Sequence, residues 1–282
     1  MNSLMHPSRA LCALFTLMLL LALGACSTLV QPPARASDAA QPTADAQSRA
    51  VALDAAQAGY ARVLQRQVND QGEVDFAALR DDASSAGLPA LETYVNAIAA
   101  TPLDAVPTAD ARLAHMINAY NALSMYNVIA SGIPASHNGF AKVTFFVLRK
   151  FVIGGSAMSL YDFENSIIRK LDEPRVHFAL NCSAVSCPVL PRFVFTAEGL
   201  NGELDRETRR FFARPENLRV DDAKQTVFFN EILKFYTEDF VPGHARTLIA
   251  YAQRYVSGVI AADYAVAFTP YDWTIANSHR KR

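Results

Sequence analysis

An apolar segment near the N-terminus determines which part of the chain can form a folded domain. Residues 10–23 are almost entirely apolar, Arg9 precedes them with a positive charge, and the run ends in Leu-Gly-Ala-Cys with the cysteine at Cys26. This order is typical of a secretory signal peptide with its processing site. The run is shorter than the ~18 residues of a standard transmembrane helix, which leaves an uncleaved anchor as the alternative. We predict that residues 1–25 are a signal peptide.

The four residues that end at Cys26 indicate a lipid anchor. Leu-Gly-Ala-Cys resembles the lipobox of bacterial lipoproteins, in which the cysteine thiol takes a diacylglyceryl group and becomes the new N-terminus. The acyl chains then hold the protein at a membrane. Ser27, which is not aspartate, resembles the pattern of lipoproteins sorted to the outer membrane. We therefore expect secretion across the inner membrane and a lipid anchor in the outer membrane, with the domain facing the periplasm.

Composition divides the remaining chain into a tether and one domain. Residues 26–46 are rich in Ala, Pro, Gln, Ser and Thr, which predicts a flexible tether. Residues 47–282 have a length that fits one globular domain, and no internal repeat is apparent. The whole chain has a net charge of -1, so it lacks the basic field that nucleic-acid binding requires. Nucleic acid is therefore excluded as a partner.

Helix and strand signals are mixed along the domain and do not alternate regularly, which favours an α+β fold with several helices around a small antiparallel or mixed sheet. The longest predicted helix runs from Ala109 to Ser131, between a Pro-Thr start signal and a Gly-Ile-Pro stop signal. Ser159 and Asp162 predict a second helix start. Further predictions are a strand at 175–181, a hairpin at 218–220 and 226–229, and helices at 196–212, 231–240 and 245–255.

Three polar residues on these helices are candidates for a site. Asn118 and Asn121 lie one turn apart in the long helix, where asparagine is a poor helix former, so a tertiary task is indicated. That task is either buried hydrogen bonding or a place at a reaction centre. Glu164 lies off the apolar stripe of its helix and is either a solvated surface carboxylate or a partner for a histidine.

The cysteines suggest the chemistry more directly. Cys12 leaves with the signal peptide and Cys26 carries lipid, so the domain keeps Cys182 and Cys187, which follow His177 by a few residues. In an oxidising compartment such a close pair forms a disulfide or, alternatively, includes one nucleophilic thiolate. The spacing His-x4-Cys-x4-Cys matches no compact zinc motif. No phosphate-binding glycine loop or dinucleotide fingerprint is present, so we predict no metal and no cofactor.

Several longer motifs resemble one known family. They are Gly-Glu-Val-Asp-Phe at 72–76, Ile-Asn-Ala-Tyr-Asn-Ala-Leu at 117–123, His-Phe-Ala-Leu-Asn-Cys at 177–182, Ser-Cys-Pro at 186–188, Glu-Asp-Phe at 238–240 and Tyr-Asp-Trp at 271–273. Together they resemble the domain of unknown function 547 family over nearly the whole domain. The family usually has Glu-His where this chain has Glu164-Asn165, and aromatic residues where it has His115-Met116. The resemblance implies no established activity.

Two functional hypotheses follow from these residues. In the first, Cys182 or Cys187 acts with His177 in hydrolysis or in acyl or amide transfer on a small molecule or peptide. Asn118, Asn121 or Glu164 would then orient the histidine or stabilise an oxyanion. In the second, the domain is a non-catalytic envelope binding or assembly module, held by a Cys182–Cys187 disulfide and a buried polar network.

Overall fold

A computed structural model describes residues 27–33 and 46–279, and its mixture of helices and small sheets confirms the predicted α+β class. The helices in this part of the chain are α1 (Ala46–Gln67), α2 (Phe76–Asp81), α3 (Leu88–Ala100), α4 (Ala109–Ala130), α5 (Phe140–Val143), α6 (Leu160–Ser166), α7 (Leu200–Phe212), α8 (Ile232–Phe235), α9 (Thr237–Phe240) and α10 (Leu248–Ala252). The strands are β1 (Thr28–Leu29), β2 (Arg149–Ile153), β3 (Ser156–Ser159), β4 (Leu218–Asp221), β5 (Thr226–Asn230) and β6 (Ala265–Thr269).

The strands form two separate three-stranded sheets, each with one parallel and one antiparallel pairing. In the first sheet β1 runs parallel to β2, which pairs with β3 as an antiparallel hairpin. In the second sheet β4 and β5 form the predicted hairpin, and β6 runs parallel to β5. The predicted hairpin is therefore confirmed. It could be predicted because its two strands and the turn between them are adjacent in the sequence.

Helix α4 is the centre of the larger hydrophobic core and confirms the longest predicted helix. It begins at the N-cap Thr108, whose hydroxyl accepts a hydrogen bond from the backbone N–H of Ala111. Every residue from Leu113 to Val128 is buried, on all faces of the helix. A helix that is buried all round packs inside the protein and does not lie on its surface.

Two hydrophobic cores lie side by side. The larger contains residues of α1, α3 and α4 together with the first sheet. The smaller contains residues of α7, β5 and α10, with Phe178 and Phe240. Tyr271 packs against both cores. The segment that carries His177 and the cysteines therefore runs along the boundary between them.

The predicted strand at 175–181 is wrong. Residues Pro174–Phe178 form a 3-10 helix instead, with Pro174 in its first turn and the Glu173 carboxylate accepting the backbone N–H of Arg175. The alternation of the sequence was misleading because Val176, His177 and Phe178 are all buried, so neither set of alternate residues faces solvent. The predicted helix at 231–240 is broken at Tyr236 into α8 and α9.

The segment predicted as a tether lies partly against the domain. Thr28 and Leu29 form β1, the backbone N–H of Val30 donates to the carbonyl of Lys150 at 2.7 Å, and the Val30 side chain is buried. The Gln31 carboxamide accepts the backbone N–H of Val152 at 3.3 Å. Thr28 and Leu29 therefore form the edge strand of the first sheet, and the next two residues also bind β2. The signal peptide, Cys26 and residues 34–45 of the tether lie outside the described residues. No helix in the described ranges is long and apolar enough to cross a membrane.

Candidate functional site

One cavity brings together four of the six site residues predicted from the sequence. It has a volume of about 280 Å³ and is lined by His177, Glu164, Cys182 and Cys187. This volume is near the lower end of ligand pockets, which run from roughly 300 to 1,000 Å³. Most of the remaining lining is apolar or aromatic, and much of it comes from α5 and the π-helical turn Thr144–Leu148. A mainly apolar cavity with a few converging polar groups is the usual form of a ligand site.

The two cysteines of the cavity are free, so the predicted disulfide is absent from the structure. Asn181 bridges the two ends of their loop: its side chain accepts the backbone N–H of Ser183 at 2.7 Å and donates to the carbonyl of Pro188 at 2.7 Å. The loop turns at Ser183, which has a φ of 65°. This turn directs the backbone N–H of Cys182 to the sulfur of Cys187 at 3.2 Å.

The surroundings of the two sulfurs differ, and they shift the pKa values of the two thiols in opposite directions. The Tyr271 hydroxyl donates to the Cys187 sulfur at 3.1 Å and lies 3.8 Å from the Cys182 sulfur. Burial acts to raise the pKa of Cys187, but hydrogen bonds from the Cys182 thiol, the Tyr271 hydroxyl and backbone N–H groups together lower this pKa below its usual value. The pKa of Cys182 is raised well above its usual value, because its thiol donates to Cys187 and because it is buried. Cys187 is therefore the more acidic thiol of the pair.

His177 is fully buried and makes its hydrogen bond to Asp239, a residue not among the predicted candidates. The distance between His177 Nε2 and Asp239 Oδ2 is 2.6 Å, and the imidazole stacks on the Tyr236 ring at 4.0 Å. Arg169 binds both carboxylate oxygens of Asp239, at 2.6 and 2.7 Å. Burial acts to raise the pKa of Asp239, but the hydrogen bonds from His177 and Arg169 outweigh it and hold this pKa well below its usual value.

The ionised Asp239 selects the tautomer of His177 that carries its proton on Nε2, which leaves Nδ1 as the ring nitrogen able to accept a proton. His177 and both cysteines line the same cavity, but no hydrogen bond joins the imidazole to either sulfur among the described residues. Catalytic hydrogen bonds are often long in the absence of substrate and shorten when it binds.

Glu164 is a buried carboxylate, so its interpretation as a solvated surface residue is wrong. It is 6% exposed and accepts a hydrogen bond from the Tyr120 hydroxyl at 2.8 Å. The Tyr236 hydroxyl is its second partner. Glu164 therefore contacts the ring that stacks on His177 and not the imidazole itself. Asn165 next to it lines the cavity, and its side-chain oxygen accepts from Arg169 at 2.6 Å.

Asn118 and Asn121 bind backbone groups and do not line the cavity. The Asn118 carboxamide donates to the carbonyl of Phe195 at 2.8 Å and accepts its N–H at 2.9 Å. The Asn121 carboxamide donates to the carbonyl of Ala179 at 3.0 Å and accepts the N–H of Asn181 at 2.8 Å. Both residues therefore fasten loops to α4, which is the buried hydrogen bonding weighed from the sequence. Through Asn181, Asn121 also positions the cysteine loop.

Three further residues near the cysteines were not predicted. Tyr271 and Trp273 belong to the Tyr-Asp-Trp motif, which was the signal in the sequence that could have placed them here. His137 lies outside the motifs; its Nε2 is 3.0 Å from the Cys182 carbonyl, and burial lowers its pKa to about 4. In the described ranges no group of three His, Cys, Asp or Glu side chains is arranged to hold a metal ion.

These features define an α+β protein in which one cavity is lined by two buried cysteines and by a histidine that is hydrogen-bonded to Asp239. Residues 105–212 match the model of the family described as "Protein of unknown function, DUF547", so the chain carries a domain of this family there. The matched range contains His177, both cysteines and the other predicted candidates, whereas Asp239 and Tyr271 lie beyond it. No curated protein and no solved structure matches the chain.

Proposed function

We propose that the protein is a thiol-dependent hydrolase or acyl transferase in which Cys187 is the nucleophile and the His177–Asp239 pair moves the protons. The observation that carries this proposal is the setting of the Cys187 sulfur. It accepts hydrogen bonds from a backbone N–H and from the Tyr271 hydroxyl, and it lines the cavity that His177 also lines. Such hydrogen bonds favour a thiolate, which is the reactive form of cysteine.

In the proposed reaction His177 Nδ1 takes the proton that Cys187 loses. The thiolate then attacks the carbonyl carbon of an ester, thioester or amide, and a bond forms between the sulfur and that carbon. The bond to the leaving group breaks as His177 returns its proton to it, and an acyl thioester remains on Cys187. Water or a second acceptor attacks the thioester and gives its proton to His177, and the sulfur leaves as the thiolate. Asp239 stays ionised throughout and stabilises the imidazolium.

The non-catalytic alternative would use the same apolar cavity for binding only. The disulfide that this alternative assumed is absent, because Cys182 and Cys187 are both free in the structure. We also propose, from Leu-Gly-Ala-Cys alone, that Cys26 is lipidated and that the protein works in the cell envelope.

Mass spectrometry of the protein after exposure to 4-nitrophenyl acyl esters tests the catalytic proposal. We expect one acyl adduct on Cys187 and a burst of nitrophenolate, both of which are lost in Cys187→Ala. Asp239→Asn slows acylation because His177 loses its charged partner. Glu238→Gln is the matched control, since Glu238 binds the same Arg169 but is 79% exposed and does not contact His177. An adduct on Cys182, or none on either cysteine with any acyl length, would contradict the proposal.

A further inference from the structure

The rim of the cavity exposes several large apolar side chains. Val147, Tyr161 and Phe235 line the cavity and are 41%, 53% and 45% exposed. Phe140, at the start of the helix that supplies Lys142 and Val143 to the lining, is 72% exposed. Apolar side chains that cluster on a surface beside a cavity mark a site of interaction.

The N-terminal strand ties the predicted lipid attachment site to this rim. Thr28 pairs with Arg149, and Arg149 follows the lining residue Val147 by two positions. Cys26 precedes Thr28 by only two positions. Chain geometry and strand spacing keep the Cα of Thr28 within roughly 13 Å of the Cα of Val147. Because residues 28–31 are bound to β2, they do not act as a spacer between the anchor and the domain.

We infer that the acyl anchor holds the rim of the cavity against a lipid bilayer, and that the cavity takes the acyl chain of a membrane amphiphile. The inference rests on the proposed lipidation of Cys26 and names the substrate class of the proposed acyl chemistry. The cavity lining is mostly apolar, as an acyl chain requires, and Lys142 in the lining supplies a positive charge for an anionic headgroup. Leu29 on β1 is a further exposed apolar side chain, at 57%.

Trp273 makes this inference measurable because it is the single tryptophan of the sequence and lines the cavity. The acylated protein is reconstituted in vesicles of phosphatidylethanolamine and phosphatidylglycerol whose acyl chains carry a doxyl quencher. We expect quenching of Trp273 fluorescence by the labelled lipids. A Gly/Ser insert of roughly 20 residues between Cys26 and Ser27, with a root-mean-square length of about 25 Å, should abolish the quenching. The same insert between Ala40 and Gln41 leaves the spacing from Cys26 to β1 unchanged and should preserve it.

A charge at the rim gives a second test that does not move the anchor. Val147→Glu should reduce the quenching, whereas Val259→Glu should not, because Val259 is 94% exposed and does not line the cavity. Quenching that is equal in both insertion variants would overturn the membrane placement. Light scattering without vesicles gives a further check. If the protein self-associates and becomes monomeric only with Val147→Glu, the rim is an interface between two copies of the chain, and the membrane placement is overturned.

The occupant of the cavity is tested without catalysis. A brominated fatty acid is titrated into the full chain carrying Cys26→Ser and Cys187→Ala, and we expect saturable quenching of Trp273 that unlabelled fatty acid reverses. No quenching in this variant would overturn the acyl-chain assignment. This variant lacks the proposed nucleophile, so it reports binding alone. If it shows quenching while the unmodified protein forms no acyl adduct, the binding inference stands and only the catalytic proposal is contradicted.

Discussion

Replacing Tyr271 with phenylalanine tests the identity of the thiolate most directly. The substitution removes only the hydroxyl that donates to the Cys187 sulfur at 3.1 Å and leaves the backbone N–H of Cys182 in place at 3.2 Å. A hydrogen bond to a charged group contributes about 1.5–3 kcal/mol. Since about 1.4 kcal/mol is a factor of ten in an equilibrium constant, the pKa of Cys187 should rise and its thiolate fraction below that pKa should fall roughly 10- to 100-fold. A higher pKa means less thiolate at pH 7 and slower alkylation.

The assay is the rate of iodoacetamide labelling against pH, with the labelled residue assigned by mass spectrometry. It uses the full chain carrying Cys12→Ser and Cys26→Ser, in which Cys182 and Cys187 are the remaining thiols. Tyr161→Phe is the matched control, because Tyr161 lines the same cavity but its hydroxyl does not bind a sulfur. The titration midpoint should move upward only in Tyr271→Phe, and the rates should converge at high pH. An unchanged midpoint, or labelling that begins at Cys182, would refute the reasoning.

Two further predictions concern stability. Asn121→Ala leaves the carbonyl of Ala179 and the N–H of Asn181 without their buried partner. Urea denaturation should therefore show a free energy of unfolding that is lower by about 2–5 kcal/mol. The control is Asn138→Ala at an exposed position, which should change this free energy by less than about 0.5 kcal/mol. Burial lowers the pKa of His137 to about 4 from its usual 6.5. The unfolded chain therefore binds the proton first, and this residue's share of stability should be lost as the pH falls from 6.5 toward about 4, by about 3 kcal/mol in total. Urea denaturation across this range should show a shallower pH dependence in His137→Gln, and an equally steep one would show that another group is responsible.

Local signals in the sequence predicted the elements whose causes are local. Thr108 caps α4 with its own side chain, and Ser159 and Asp162 form the capping box that starts α6, so both helix starts could be recognised from residue types alone. The strand predicted at 175–181 was wrong because its periodic pattern assumed one solvent-exposed face. Burial on every side comes from the two cores that enclose this segment, and no local pattern contains that information.

The same distinction applies to the site. His177 and the two cysteines were found because they lie within a few residues of one another and carry recognisable chemistry. Asp239 is 62 residues from His177, and Tyr271 is 84 residues from Cys187, so only the fold brings these partners together. The role of Asn121 also depends on the fold, since its carboxamide meets backbone groups about 60 residues away.

The boundary between the two cores explains why the site needs more than the matched family domain. Asn121 fastens the cysteine loop to α4 in the larger core, whereas Asp239 belongs to α9, which packs through Phe240 into the smaller core. The position of His177 relative to Cys187 therefore depends on how the two cores pack, because the partners that hold these two residues belong to different cores. Residues 105–212 by themselves contain the cysteines but lack the carboxylate that binds His177 and the hydroxyl that donates to the Cys187 sulfur.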